Sequence, residues 1–281
     1  MENFHRKPNT FVGQVNINVT DLDTALAFYQ DVIGFQVLEQ TDRKAVLTTD
    51  GKTGLLTLEQ PIDVTPKEAR TSGLYHFALL LPTRADLSIF LQHLLQTGYR
   101  FGASDHHVSE ALYITDPDGN GIEVYRDRPS SEWTWSNGEV SMVTDPLNGE
   151  SLLAESNSEW NGLPADTVMG HIHLHVSDLQ KAEEFYVKGL GFTVVSHYPQ
   201  AVFIATGRYH HHIAINTWQG AGAPAPKKNS VGLNWYTLVF PNEEARGKAI
   251  EQLQEIGASV TTENDFFVTE DPSGNKIRLV V

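Results

Sequence analysis

Val19-Thr-Asp-Leu-Asp-Thr-Ala-Leu-Ala-Phe-Tyr29 recurs later in the chain as Val176-Ser-Asp-Leu-Gln-Lys-Ala-Glu-Glu-Phe-Tyr186. Each copy is followed by a Gly-Phe pair, Gly34-Phe35 and Gly191-Phe192. Two further segments repeat in the same order. Gly73-Leu-Tyr-His-Phe-Ala-Leu-Leu-Leu-Pro82 parallels Gly232-Leu-Asn-Trp-Tyr-Thr-Leu-Val-Phe-Pro241, and Asp116-Pro-Asp-Gly-Asn120 parallels Asp271-Pro-Ser-Gly-Asn275. The two halves are duplicates, so the repeat sets the unit of folding.

Each half is itself double. Gln14–Val19 alternates polar and apolar residues, the period of a strand. Asp21 or Asp23 suits the cap of a following helix, and Leu22, Leu26, Tyr29 and Ile33 mark one helical face. Gly34 suits the left-handed residue that ends it. Strand patterns follow at Phe35–Glu39, Ala45–Thr49 and Leu55–Glu59. The pattern restarts with a strand at Tyr75–Leu81, a helix at Asp86–Gln96 and Gly98. Strands at Ala111–Thr115 and Gly121–Tyr125 flank the Asp-Pro-Asp-Gly-Asn turn. Four β-α-β-β-β modules result, at about 11–60, 73–127, 168–218 and 230–281. Residues 129–166, rich in Ser, Asn, Glu and Trp, read as a linker with one short helix. Gln219–Ser230 reads as a loop between modules three and four.

Composition narrows the partners. The 281 residues carry a formal charge of −15, which repels phosphate backbones and anionic lipid. Nucleic acid and membrane are therefore not expected. With no cysteine, disulfides, thiolate metal sites and cysteine nucleophiles are excluded. Any metal must be held by His, carboxylate or amide groups. No apolar run reaches the length of a membrane span, and the polar stretch Met1–Asn9 lacks the apolar region of a signal peptide. A soluble cytoplasmic protein is expected, with oligomeric state, including a homo-oligomer, left open.

The fourfold β-α-β-β-β order, with its Val-Ser-Asp-Leu…Phe-Tyr…Gly-Phe and Asp-Pro-x-Gly-Asn signatures, resembles the vicinal oxygen chelate superfamily over nearly the whole chain. That superfamily includes glyoxalase I, bleomycin-resistance proteins and type I extradiol dioxygenases. The resemblance implies an α+β fold, with four modules forming two cupped mixed sheets flanked by helices. It implies two such domains, 9–128 (modules one and two) and 167–281 (modules three and four), joined by 129–166. It also implies that paired modules wrap a sheet around a metal held by first and last strands.

Aligned through the repeat, the first strands present Gln14, His76, His171 and Trp235, and the last strands of modules two and four present Glu123 and Arg278. Trp235 and Arg278 cannot ligate a cation. His76, Glu123 and His171 form the two-imidazole, one-carboxylate set of non-haem Fe(II), which leaves positions open for substrate and dioxygen. This set needs module two to pair with module three. If module one pairs with module two, Gln14, Glu59, His76 and Glu123 assemble instead, which resembles the glyoxalase I ligand pattern. His171, His173 and His175 share one strand face, so a different one of them could meet the metal.

Tyr209-His-His-His-Ile-Ala-Ile215 looks like the His-His-x-apolar segment of extradiol dioxygenases, which implies His212 as acid/base. Tyr113, ten residues before Glu123, matches the Tyr that hydrogen-bonds the substrate oxygen in that family. His107, Asn216 and Trp218 are lesser candidates for the pocket edge. The expected activity is Fe(II)-dependent extradiol cleavage of a small aromatic diol by dioxygen, giving a semialdehyde. Two alternatives stand beside it: a glyoxalase-like isomerase or lyase using Mn, Ni or Zn, and a metal-free binding protein of the resistance type.

Overall fold

The alternation around Gln14 becomes the first strand of a computed structural model that describes residues 4–281. Met1–Asn3, part of the polar N-terminal stretch, lie outside the described residues. Module one contains β1 (Phe11–Asn18), α1 (Leu22–Phe28), β2 (Gln36–Thr41), β3 (Lys44–Thr48) and β4 (Gly54–Glu59). Module two contains β5 (Gly73–Leu80), α2 (Arg84–Thr97), β6 (Gly102–Asp105), β7 (Ser109–Thr115) and β8 (Gly121–Asp127). The linker is more structured than its composition suggests. It carries a short hairpin, β9 (Trp135–Ser136) and β10 (Glu139–Val140), before its short helix α3 (Gly149–Leu153). Module three has β11 (Val168–His175), α4 (Leu179–Glu184), β12 (Thr193–Tyr198), β13 (Ala201–Ala205) and β14 (Ile213–Asn216). Module four has β15 (Gly232–Val239), α5 (Glu243–Glu255), β16 (Val260–Glu263), β17 (Phe266–Glu270) and β18 (Lys276–Val280).

Local chemistry sets the helix ends. Asp21 caps α1 by accepting from the Thr24 amide at 2.8 Å. α2 begins at Arg84, ahead of the Asp86 read from sequence, because Thr83 is the cap and accepts from the Asp86 amide. After α1 the chain widens into a π-helical turn, Tyr29–Ile33, closed by Gly34 in the left-handed region. Module three repeats this turn at Phe185–Gly189.

The sheets do not follow the halves of the chain. One runs β16-β17-β18-β15-β1-β4-β3-β2 and the other β12-β13-β14-β11-β5-β8-β7-β6. Module four therefore pairs with module one, and module three with module two. In both sheets the two first strands meet antiparallel at the centre, and each lies parallel to the last strand of its own module. Alternate residues of all four first strands, Val15 and Ile17, Phe77 and Leu79, Ile172 and Leu174, Tyr236 and Leu238, enter one continuous apolar core. The residues between them face the two cups.

Consecutive modules are joined differently. Tyr29 donates its hydroxyl to Asp116 at 2.9 Å, and Tyr186 donates to Asp271 at 3.0 Å. The Phe-Tyr motif of one module thus binds the Asp-Pro-x-Gly-Asn turn of the next. Each Asp also accepts from its own turn Asn, Asn120 or Asn275. Both carboxylates are buried, and without these donors they would lie uncompensated in the interior.

Candidate metal centre

The second sheet builds its cup on three adjacent strands. β11 sets His173 opposite His76 and His171 opposite Ala78. On the other side of β5, Ala78 lies beside Glu123 of β8. Ala78 therefore stands between Glu123 and His171 in one cross-strand row, where its small side chain leaves room for longer neighbours. His76 projects from the same face two residues earlier. The outcome is a tight triangle. His76 Nε2 and His171 Nε2 each lie 3.0 Å from Glu123 Oε2, and 3.3 Å from each other. All three side chains are buried.

Protons alone satisfy this triangle poorly. Two imidazole N–H groups can both point at one carboxylate oxygen, but the two nitrogens then face each other with no proton between them. A divalent cation about 2.1 Å from each donor, with right angles between bonds, sets the donors about 3.0 Å apart. The observed spacing fits such an ion, and the N₂O donor set suits a transition metal. Among the described residues His171 Nδ1 has no hydrogen-bond partner and is buried, so packing orients this ring. Tyr125 and His211 flank it at 4.9 and 4.1 Å between ring centroids.

Electrostatics keep the donors available. Burial alone would raise the Glu123 carboxyl, but the His171 and His76 imidazoles outweigh it and hold the group well below the usual range. Burial pushes His171 down to about 4 against the pull of Glu123, and also lowers His173 and His211 well below the ordinary value. These lowered values favour the neutral form of His171, His173 and His211, and a neutral imidazole is the form that binds a cation.

Asn216 separates the three histidines of β11. Its amide nitrogen lies 2.8 Å from His173 Nε2 and its oxygen 2.7 Å from His175 Nδ1. Those two rings are held by Asn216, and His171 is the one that joins His76 and Glu123. Tyr113 lies directly opposite Glu123 in the β7–β8 register. Its hydroxyl is 2.6 Å from His106 Nε2, and His106 Nδ1 is 2.6 Å from the Val143 carbonyl of the linker. A carbonyl can only accept, so Nδ1 carries the proton and Nε2 accepts from Tyr113. Burial, with the Glu123 charge adding to it, raises the Tyr113 phenol well above its ordinary value.

A cavity of about 400 Å³ opens above the triangle. Tyr75, Phe203 and Trp218 supply aromatic walls, and Met142, Val143 and Thr144 of the linker close one side.

His212, expected as the acid/base, does not line this cavity. It precedes β14 rather than lying on it, and its ring faces the N-terminal arm. His212 Nε2 is 3.2 Å from the Phe4 carbonyl, and Nδ1 accepts from the Thr206 amide at 3.3 Å. His211 lines the cavity instead. The His-His-His run reaches the cavity wall through His211, while consecutive residues diverge and His212 turns toward the N-terminal arm. His107 pairs with Asp145 at the surface, away from the cup. His106 and the linker wall were missed by sequence reading. His106 carried a weak signal, seven residues before Tyr113, whereas the linker contact is purely tertiary.

The first sheet's cup holds Gln14, Asn16, Glu59, Trp235 and Arg278. Gln14 donates to Thr57 and Asn16 to Glu59, while the Arg278 guanidinium stacks 3.7 Å over the Trp235 ring. Gln14 and Glu59 thus belong to a different sheet from His76 and Glu123, and the alternative set Gln14/Glu59/His76/Glu123 does not assemble.

Comparison with known proteins agrees with this architecture. A catechol-2,3-dioxygenase of Bacillus subtilis (strain 168) is 46% identical over 279 residues, covering 97% of this chain and 98% of that protein. Biphenyl-2,3-diol 1,2-dioxygenase 3 of Rhodococcus globerulus is 28% identical over 121 residues, 40% of this chain and 62% of that protein. Glyoxalase I from Zea mays superposes with a TM-score of 0.59 at 16% identity, covering 96% of this chain and 92% of that one, a likeness of fold alone. The Glyoxalase/Bleomycin resistance protein/Dioxygenase superfamily matches residues 11–124 and 168–279, and the chain belongs to that superfamily.

Proposed function

We propose that the protein is an Fe(II)-dependent extradiol dioxygenase that opens a small catechol-type ring beside its two hydroxyls. The convergence of His76, Glu123 and His171, the first two lining an aromatic-walled cavity, carries this reading. Similarity to the Bacillus subtilis catechol-2,3-dioxygenase supports it. Fe(II) held by these three residues would acidify the diol and shift electron density between ring and dioxygen. The cavity volume falls in the range of small-molecule sites and suits a single ring between Tyr75, Phe203 and Trp218.

The chain's own groups handle orientation and protons. Tyr113 commits its proton to His106, so it offers a lone pair to a diol O–H. His211, kept neutral by burial, takes a proton from the diol and returns it later in the cycle. Both oxygen atoms enter the product and no proton is consumed overall, so one residue can do both.

Anaerobic Fe(II) loading, followed by catechol and air, tests the reading. A yellow ring-fission product is expected, with kcat lowered by about 10³-fold or more in His76→Ala or Glu123→Ala. Absence of oxygen uptake with every catechol tried would overturn it. Turnover of a hemithioacetal instead would favour an isomerase.

A further inference from the structure

Behind His211 lies a chain of polar groups, running from the half-buried Asp127 through the buried His210, that the triangle does not use. Glu123, Tyr125 and Asp127 alternate along β8 onto the same face, so the strand that supplies the carboxylate of the triangle ends in a second one. Asp127 Oδ1 is 2.7 Å from His210 Nε2. His210 Nδ1 is 2.8 Å from His211 Nδ1, and the two rings lie 4.8 Å apart. His210 is fully buried. Trp133, Tyr125 and Tyr209 pack around its ring. Tyr209 also donates to Asp127 at 3.3 Å.

We propose that Asp127 and His210 are positioning residues that set the tautomer and ring orientation of His211. An ionised carboxylate only accepts, so His210 Nε2 must donate to it. A neutral imidazole has one N–H, which leaves His210 Nδ1 as an acceptor. His211 Nδ1 must then donate to it. Nε2 becomes the unprotonated nitrogen of His211, and among the described residues no hydrogen bond engages it. The chain Asp127–His210–His211 thus presents a lone pair to the cavity. Reversing the tautomer would present an N–H there and remove the acceptor.

This inference rests on the reading of His211 as the proton-handling group, and the test separates the two. Asp127→Asn keeps the shape of the side chain but lets an amide donate to His210. In full-length, metal-free protein with ¹⁵N-labelled histidine, the His211 ring proton is expected on Nδ1 in the parent and on Nε2 in Asp127→Asn. The Fe(II)-loaded variant is expected to lose about 10²-fold in kcat, with KM for catechol within about twofold and iron content unchanged. An unchanged tautomer and an unchanged kcat would overturn the positioning role. Should Asp127→Asn not fold, His210→Phe interrupts the same chain and is expected to give the same kcat loss. If His211→Ala leaves kcat intact, the reading of His211 fails, while the tautomer measurement still decides what Asp127 does.

Discussion

At the scale of single residues, the site is decided by which of several similar side chains reaches the cup. Three histidines on β11 share a face, yet Asn216 engages two of them and leaves His171 to the triangle. Replacing Asn216 with Leu removes both contacts and buries apolar surface beside two unsatisfied rings. It is expected to destabilise the fold by about 1–3 kcal/mol, measured by denaturant unfolding. His171→Ala differs in kind. It removes one donor of the triangle, so Fe(II) affinity should collapse while the unfolding midpoint of the metal-free protein moves less than in Asn216→Leu. Equal effects of the two variants on metal affinity would contradict the division of roles between these residues.

At the scale of elements, the close approach of neighbouring strands holds the triangle. Gly121 begins β8 opposite His76, and a Cβ there would collide with the Tyr75 carbonyl oxygen of β5. Backbone cannot yield as a flexible side chain can, so Gly121→Ala must move one strand against the other. A loss of about 1–3 kcal/mol is expected, with weakened metal binding because Glu123 and His76 ride on those two strands. A second joint ties α2 to β7 and β8. Glu110 of β7 accepts from Arg84 at the start of α2, at 2.8 Å, and from Arg126 Nε of β8 at 2.7 Å. Burial would raise the Glu110 carboxyl, but the two arginines outweigh it and lower it below the ordinary value. A carboxyl held lower in the folded chain binds fewer protons there than when unfolded. Its stabilisation is therefore present above about pH 4.3 and is lost as pH falls through the lowered folded value. Glu110→Ala is expected to cost about 3 kcal/mol at pH 7 and progressively less in acid, followed by unfolding across pH.

At the scale of the whole molecule, sheet pairing and Tyr–Asp hydrogen bonds add to the shared apolar core in joining the modules. Hydrogen bonds from Tyr29 and Tyr186 join consecutive modules, whereas the sheets join module one to four and two to three. The candidate metal centre draws His76 and Glu123 from the first half of the chain and His171 from the second. Residues 1–128 and 167–281, expressed separately, should each fail to bind Fe(II) at the affinity of the intact chain. Co-expression should restore it to the extent that the halves associate. High-affinity binding by either half alone, read by metal titration, would mean that another donor set forms.

The sequence by itself determined the repeat unit, the strand and helix periods, and the positions in each module from which a ligand can project. These features are local. Alternation, caps and turn residues act over a few neighbours, and comparison of the copies showed that Trp235 and Arg278 could not hold a cation. Only the tertiary structure decided which modules share a sheet, because β5 presents the same alternating pattern whichever first strand pairs with it. That choice excluded the Gln14/Glu59 set. The structure also decided that His211 rather than His212 faces the cavity, since the turn before β14 follows no simple period. It brought Val143 of the linker onto His106, a contact between residues 37 positions apart. Long-range pairing and turn geometry depend on packing between distant segments, and no local period encodes them.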